Sequence, residues 1–332
     1  MKKVKLMNKK MRVVFCGTPP IAADLLESLV LNDDVEVVGV ISQPDKLQGR
    51  KQVLTPTPVK LSAQKHQLAC FQPKKISDLY AKLQTLEFDF LLTCAYGQFI
   101  PLKILKLAGC EALNIHGSLL PQYRGGAPIQ RAIMNGETTT GVSLMRMVQQ
   151  MDAGPVFATL KTPITPKDDS GSLFSKISDL GQKILADNLK KIYQGLLLPT
   201  PQDSSQASYA PIITPAEEQI DWSQSAEIIK NQVRALAPTP IAYSWLNHER
   251  YKIKTVRIVE SSENISFEGA KTPGKVIDID KEGIVVQTGQ GMLKILEIQR
   301  QGKKMLLASA YFINQLRDIN VGVNFDIIKT TK

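Results

Sequence analysis

An α/β domain built on a mostly parallel sheet, followed by a smaller β-barrel, is the fold class this sequence predicts, and three observations predict it. Through roughly the first 200 residues, short apolar runs alternate with stretches of helical period, the pattern of strands joined by covering helices. Composition then changes at residues 198–215, LPTPQDSSQASYAPIITP, which are rich in Pro and Ser with little periodicity. Beyond them come short alternating runs separated by Gly and Asp turns, which suggest a small barrel. The expected layout is a domain over 11–197, a linker over 198–215 and a second domain over 216–330.

Residues 12–18, RVVFCGT, read as an apolar strand entering a glycine turn, and 19–31 as a helix with apolar positions Ile21, Leu25, Leu29 and Val30. This is the opening β-turn-α of a nucleotide-binding type of fold, without the G-x-G-x-x-G spacing of a dinucleotide site. Strands are expected at 35–42 and, briefly, at 68–71, then a helix at 76–86, a strongly buried strand at 88–95 and a short helix at 102–107. The strand carrying Asn114 follows, then strand-like runs at 138–148 and 155–164. Asp168, Asp169 and Ser170 open a helix reaching about Tyr193, their acids suited to its positive end. In the second domain a helix starts at about Ser225, the chain turns through PTPIAYSWL, and strands are expected in KIKTVRIV, GKVIDID, GIVVQTG and MLKILEIQ. A parallel sheet covered on both faces places its ligand site at the carboxyl ends of the strands.

Two connections at that edge stand out. Residues 43–60, QPDKLQGRKQVLTPTPVK, join the second and third strands and carry the basic trio Lys46, Arg50 and Lys51; a connection this long in a compact domain is functional or disordered more often than not. Tyr96, Gly97, Gln98, Phe99, Ile100 and Pro101 form a glycine-bearing exit from the buried strand.

Composition narrows the function classes. The chain of 332 residues carries a net charge of +10, but five of the lysines lie within the first ten residues, and residues 215–332 hold 16 basic and 14 acidic side chains, a net of only +2. Net charge is therefore a weak argument for nucleic acid; clustering on one face would be the strong one. Cys16, Cys70, Cys94 and Cys110 lie far apart, offering neither CxxC spacing nor a disulfide framework, so reduced core residues are expected. No apolar run approaches the ~20 residues a membrane helix needs, and a cytoplasmic protein is expected.

The chemistry gathers in residues 112–128, ALNIHGSLLPQYRGGAP, with Asp152 in MVQQMDAGP. Asn114 and His116 are two apart on a strand, so they share one face while Leu113 and Ile115 take the other. Such a pair is often only a satisfied polar group at a turn. Here, however, His116 is one of three histidines, an apolar strand is a costly place for an idle polar pair, and a turn could aim Asp152 back at it. Amide donor, imidazole and carboxylate are the parts that move a proton and steady an oxyanion.

The run Asn114-x-His116-x-x-x-x-Pro121-x-x-Arg124-Gly125, followed by Asp152-x-Gly154, resembles the signature of the formyltransferases that take a formyl group from 10-formyltetrahydrofolate. The likeness covers residues 11 to about 320, is strongest at 114–154, and in the barrel rests on DWS, RALAPTP and GIVVQTGQGMLKILEIQRQGKK. It implies a Rossmann-like formyltransferase domain with catalytic Asn114, His116 and Asp152, and an OB-like barrel that grips RNA. It implies that Ser118, Leu119, Leu120 and Pro121, with Tyr96, Gly97, Gln98, Phe99 and Ile100, shape the folate site, the latter loop largely through main-chain groups. It further implies that Lys46, Arg50 and Lys51 face a tRNA acceptor stem, with Lys51 standing where relatives often carry Gly. The implied acceptor is the α-amine of methionyl-initiator tRNA, with 10-formyltetrahydrofolate as donor, no metal, and a monomer expected. Competing readings are formyl transfer to a UDP-amino-sugar or other small amine, hydrolysis of 10-formyltetrahydrofolate, and a nucleic-acid-binding module on a catalytically dead scaffold.

Overall fold

The protein is described by a computed structural model over residues 9–49, 51–260, 272–313 and 318–326. It opens with β1 (Met11–Gly17), α1 (Pro20–Val30) and β2 (Val35–Ile41). Pro20 lies in the first turn of α1, where a missing N–H costs nothing, and Ile21, Leu25 and Leu29 lie on its buried face. Next come β3 (Lys46–Gln48), β4 (Val53–Thr55), α2 (Pro58–Lys65) and β5 (Cys70–Phe71). A 3₁₀ turn at Ile76–Leu79 runs into α3 (Tyr80–Gln84), so the single helix expected at 76–86 is split. There follow β6 (Phe90–Cys94), α4 (Leu102–Leu105), β7 (Glu111–His116), α5 (Pro128–Met134), β8 (Thr139–Arg146), β9 (Val156–Pro163) and α6 (Ser170–Tyr193).

Seven strands form one sheet in the order β5-β2-β1-β6-β7-β8-β9. The first five run parallel, β8 runs antiparallel to β7 and β9 antiparallel to β8, giving the mostly parallel sheet that was expected. Every position of β6 is buried, because a central strand covered on both faces must be apolar on both, which is why its sequence reads as a continuous run. From β1 the chain steps outward through β2 to β5 and returns to β6 on the other side of β1. The order reverses there, opening a crevice at the carboxyl ends. Thr18, just past β1, donates its hydroxyl to the Tyr96 carbonyl, just past β6, at 2.9 Å, tying two loops together at that crevice.

Residues 43–60 are more ordered than their composition suggests. Lys46 pairs with Thr55, Leu47 with Leu54 and Gln48 with Val53 in an antiparallel hairpin, and Pro58 then starts α2, capped by the Thr57 hydroxyl. Neither face of the hairpin is buried, so the alternation that signals a strand is missing from its sequence. Helix α5, also unexpected, begins at Pro128 at the end of what reads as one long loop.

Two compact units result: the described residues of Met1–Pro128, Thr139–Pro163 and Phe174–Ala210 form one, and those of Ile129–Thr138, Ile164–Leu173 and Pro211–Lys332 the other. The segment 198–215, expected as a linker, is divided between them and fastened in each. Thr200 exchanges two backbone hydrogen bonds with Val156 at 2.8 Å, and Ala210 N–H donates to the Arg124 carbonyl at 2.7 Å. In the second unit Arg131 Nε donates to the Pro211 carbonyl at 3.0 Å. Absence of periodicity marks absence of helix and strand, and the backbone groups found partners elsewhere.

The second unit contains α7 (Ala226–Leu236), capped by the Ser225 hydroxyl, then β10 (Tyr243–Leu246), β11 (Glu249–Ile258), β12 (Val276–Ile279), β13 (Ile284–Gln287), β14 (Met292–Arg300) and β15 (Leu306–Leu307). A turn was expected where β10 lies. The strands are antiparallel in the order β10-β11-β14-β13-β12, with β15 on β14. Both edges reach one segment, for Asn324 bridges to Lys275 and Asp326 to Trp245, and the expected barrel is a curled antiparallel half-barrel. Trp222 and Tyr251 pack on Phe325 at its centre, ring centroids 5.6 and 6.2 Å away. Among the described residues no helix is long and apolar enough to cross a membrane.

Candidate active site

Register between β6 and β7 sets Thr93 beside Asn114. The Thr93 hydroxyl donates to Asn114 Oδ1 at 2.8 Å, which fixes the carboxamide with its NH₂ outward, 3.5 Å from Asp152 Oδ1. His116, 6% exposed, holds its Nε2 2.8 Å from the Tyr123 carbonyl. A carbonyl only accepts, so Nε2 carries a proton and Nδ1 is the ring nitrogen left to exchange one. Nδ1 lies 3.7 Å from Asp152 Oδ2. The structure thus brings Asn114, His116 and Asp152 together, from the end of one strand and from the loop between β8 and β9.

Asp152 has φ of +51°, an uncommon conformation for a residue with a side chain, and it is held on three sides. Gly125 N–H donates to its Oδ2 at 2.9 Å. Gly125 itself has φ of +125°, and a Cβ there would lie 2.6 Å from the Ala210 carbonyl oxygen. Gln202 Nε2 donates to the Asp152 carbonyl at 2.8 Å and to the Gly154 carbonyl at 2.7 Å. Arg124, 3% exposed, donates from Nε and Nη2 to Gln202 Oε1 at 3.1 and 2.8 Å. Thr93, Gln202 and the Tyr123 carbonyl carry no mark in the sequence: Gln202 sits in the Pro/Ser-rich stretch, and only the resemblance singles out Arg124.

The loop after His116 is held from within. Ser143 donates to the Ser118 carbonyl at 2.7 Å and accepts from Leu120 N–H at 3.1 Å, while the Ser118 hydroxyl donates to the Gln122 carbonyl at 2.6 Å. Ser118 and Leu120 are buried; Leu119 and Pro121 are half-buried. In the neighbouring loop, Tyr96 and Ile100 belong to the core beneath the sheet, and the buried Tyr96 hydroxyl has no partner among the described residues. Gln98 is occupied by the Ile76 N–H and the Pro73 carbonyl, at 3.0 and 3.3 Å. What the loop leaves open is Phe99 and the backbone at Gly97, whose φ is +81°.

Lys46 and Lys51 are exposed on the hairpin with Leu47, Val53 and Leu54; Arg50 lies outside the described residues. The hairpin is anchored at its base, where Asp45 pairs with Lys60 at 2.6 Å and accepts from Gln72 at 2.6 Å. The Lys60 hydrogen bond holds the Asp45 carboxyl below its ordinary range. A recess of about 680 Å³ in the barrel unit is lined by opposed charges that satisfy each other, buried Lys294 meeting Asp280 at 2.7 Å and Glu282 at 3.2 Å, and it has none of the features that suit the first unit's site to acyl chemistry. Among the described residues no cluster of His, Cys, Asp and Glu could hold a metal ion.

Fold and site together define a formyl transferase: residues 9–189 match the family model described as formyl transferase, and 212–316 that of the formyl transferase C-terminal domain. The chain is 47% identical to the methionyl-tRNA formyltransferase of Mycoplasma capricolum subsp. capricolum, over 96% of this chain and 100% of that one. It is 44% identical to the same enzyme of Levilactobacillus brevis, over 93% and 98%. The chain belongs to the methionyl-tRNA formyltransferase family. Among solved structures, HypX from Aquifex aeolicus in complex with tetrahydrofolic acid shares the fold at TM-score 0.62 and 18% identity, over 97% of this chain and 51% of that one. WlaRD, a sugar 3N-formyl transferase, does so at TM-score 0.62 and 20% identity, over 90% and 100%.

Proposed function

We propose that this chain transfers the formyl group of 10-formyltetrahydrofolate to the α-amine of methionyl-initiator tRNA, acting as a monomer in the cytoplasm. The observation that carries the chemistry is the convergence of an oriented amide donor, an imidazole with one free nitrogen and a carboxylate within 3.7 Å. A free α-amine has a pKa of about 7.7 to 8.0, and an adjacent ester lowers it, so the attacking amine needs no protein nucleophile. Asn114 Nδ2 is placed to donate to the formyl oxygen as it gains charge during attack, and His116 Nδ1, once it has taken the amine's proton, to donate to the same oxygen. Asp152 steadies the imidazolium and, with His116, carries the proton that leaves the amine while the folate nitrogen departs with one. The crevice between the β1 and β6 loops, beside Phe99 and Gly97, receives the pterin, and residues 118–121 flank it.

The exposed hairpin with Lys46 and Lys51 supports tRNA over a small amine. A small acceptor has no use for charge held on a projecting ribbon, whereas a nucleic acid gains from each phosphate that is neutralised. The deciding experiment offers the protein 10-formyltetrahydrofolate with charged initiator tRNA, a UDP-amino-sugar, or no acceptor. Formyl-methionine is expected. A formylated sugar, or formate released without acceptor, would replace this reading with one of its competitors.

A further inference from the structure

We infer that Gln202 is a positioning residue for the catalytic carboxylate, with Arg124 and Gln202 together forming a clasp that holds the turn carrying Asp152 against His116. The inference rests on the catalytic role proposed for Asp152.

Asp152 reaches its neighbours from the left-handed region, uncommon for residues other than Gly, and contacts from outside the turn help to hold it there. Among the described residues its carboxylate has a single close donor, Gly125 N–H at 2.9 Å; Asn114 and His116 stand 3.5 and 3.7 Å away. Orientation must come through the backbone, and Gln202 grips that backbone at the carbonyls on either side of Ala153. A carboxamide has two donor hydrogens and two acceptor lone pairs. Gln202 commits all four, the hydrogens to Asp152 and Gly154 and the oxygen to two nitrogens of Arg124.

Arg124 points the same way. Its guanidinium is buried, and among the described residues no carboxylate lies within ion-pairing distance. Burying a guanidinium against a neutral amide is a poor way to stabilise a fold, since a carboxylate would solvate it better. A carboxylate in place of Gln202, however, would have no hydrogens for the two carbonyls and would repel them. The choice of amide over acid therefore serves the 152–154 turn at the expense of Arg124. The main chain of Arg124 is itself fixed, its N–H donating to the Ser208 carbonyl at 2.9 Å and its carbonyl accepting from Ala210.

Gln202→Glu separates positioning from stability, because it keeps and strengthens the Arg124 contact while removing the hold on the turn. Kinetics on charged initiator tRNA and thermal unfolding are to be measured for the parent, Gln202→Glu, Asp152→Asn and the double variant. For Gln202→Glu we expect unfolding close to the parent temperature, the strengthened Arg124 pairing offsetting the two lost carbonyl contacts, with kcat lower on the order of 10²-fold and the folate KM changed less than threefold, since misplacement by about an ångström costs roughly this much. Added to Asp152→Asn, Gln202→Glu is expected to cost little more, because its effect passes through the carboxylate. A parental kcat in a stable Gln202→Glu protein, or equal losses with and without the Asp152 carboxylate, would overturn the inference. Should Gln202→Glu unfold, Gln202→Met, which removes both sets of polar contacts, takes its place: a lowered kcat in the folded protein counts for the inference and a parental kcat against it. Failure of Asp152→Asn to lower kcat would instead strike the catalytic reading itself.

Discussion

Residues 43–60 and 198–210 look alike as sequence, both rich in Pro and polar residues and poor in periodicity, yet the structure uses them in opposite ways. The first contains a regular hairpin whose side chains are largely exposed, anchored at its base through Asp45. The second contains almost no regular structure, yet Thr200 is paired to the start of β9, and Gln202, Ser208 and Ala210 bind the loops of the candidate active site. Regular hydrogen bonding and functional fixity are separate properties. A ribbon proposed to meet a large partner is exposed on both faces, whereas a segment that holds the turn of a proposed catalytic carboxylate has only to place a few donors and acceptors correctly.

The comparison is sharpened most by variants of the site that the second segment supports. His116→Ala and Asn114→Ala should each lower kcat by about 10²-fold or more, roughly 2.7 to 4 kcal/mol of barrier, with unfolding temperatures close to parent. Unchanged turnover would mean that the segment clasps a turn with no chemistry in it.

Next in size is Gly125→Ala. Its φ and the Ala210 carbonyl 2.6 Å from a new Cβ force the loop away from 208–210, and we expect about 1 to 3 kcal/mol of destabilisation together with loss of activity, read by denaturant unfolding and turnover. The same change made on the hairpin at Gly49 has open space around it and should cost only the strain of its φ of +69°; equal destabilisation at the two glycines would erase the contrast.

Smaller still, and selective, is the effect of charge on the hairpin. Lys46→Ala with Lys51→Ala should leave stability within about 0.5 kcal/mol and folate KM unchanged, while the salt dependence of tRNA binding flattens by about one unit for each phosphate no longer neutralised. A parental salt slope would reduce the hairpin to a solvated surface feature.

The smallest effect belongs to Glu217, just past the expected linker. The Arg131 hydrogen bond depresses the Glu217 pKa to about 2 from its ordinary carboxylate value, so the stability it contributes is present above pH ~4.5 and lost as pH falls toward 2. Glu217 is partly exposed, and solvent keeps this contribution modest. The stability difference between the parent and Arg131→Met should shrink across that interval; a difference independent of pH would show that the pair is not the source.

What could be read from the chain alone was whatever local pattern writes. The order of strands and helices follows from periodicity, the continuous apolar run of β6 from burial on both faces, and the pairing of Asn114 with His116 on one face from the two-residue repeat of a strand. The barrel followed from its short strands and turns. Tertiary structure alone decided how far Asp152 stands from His116, which ring nitrogen is free, and that Gln202, some fifty residues beyond Asp152, grips its turn. It also decided that 198–215 is fastened along its length and that 46–55 forms a ribbon. The physical reason is that a helix or a buried strand repeats its environment every few residues and so leaves a period in the sequence. A single amide satisfying four partners across the fold leaves none.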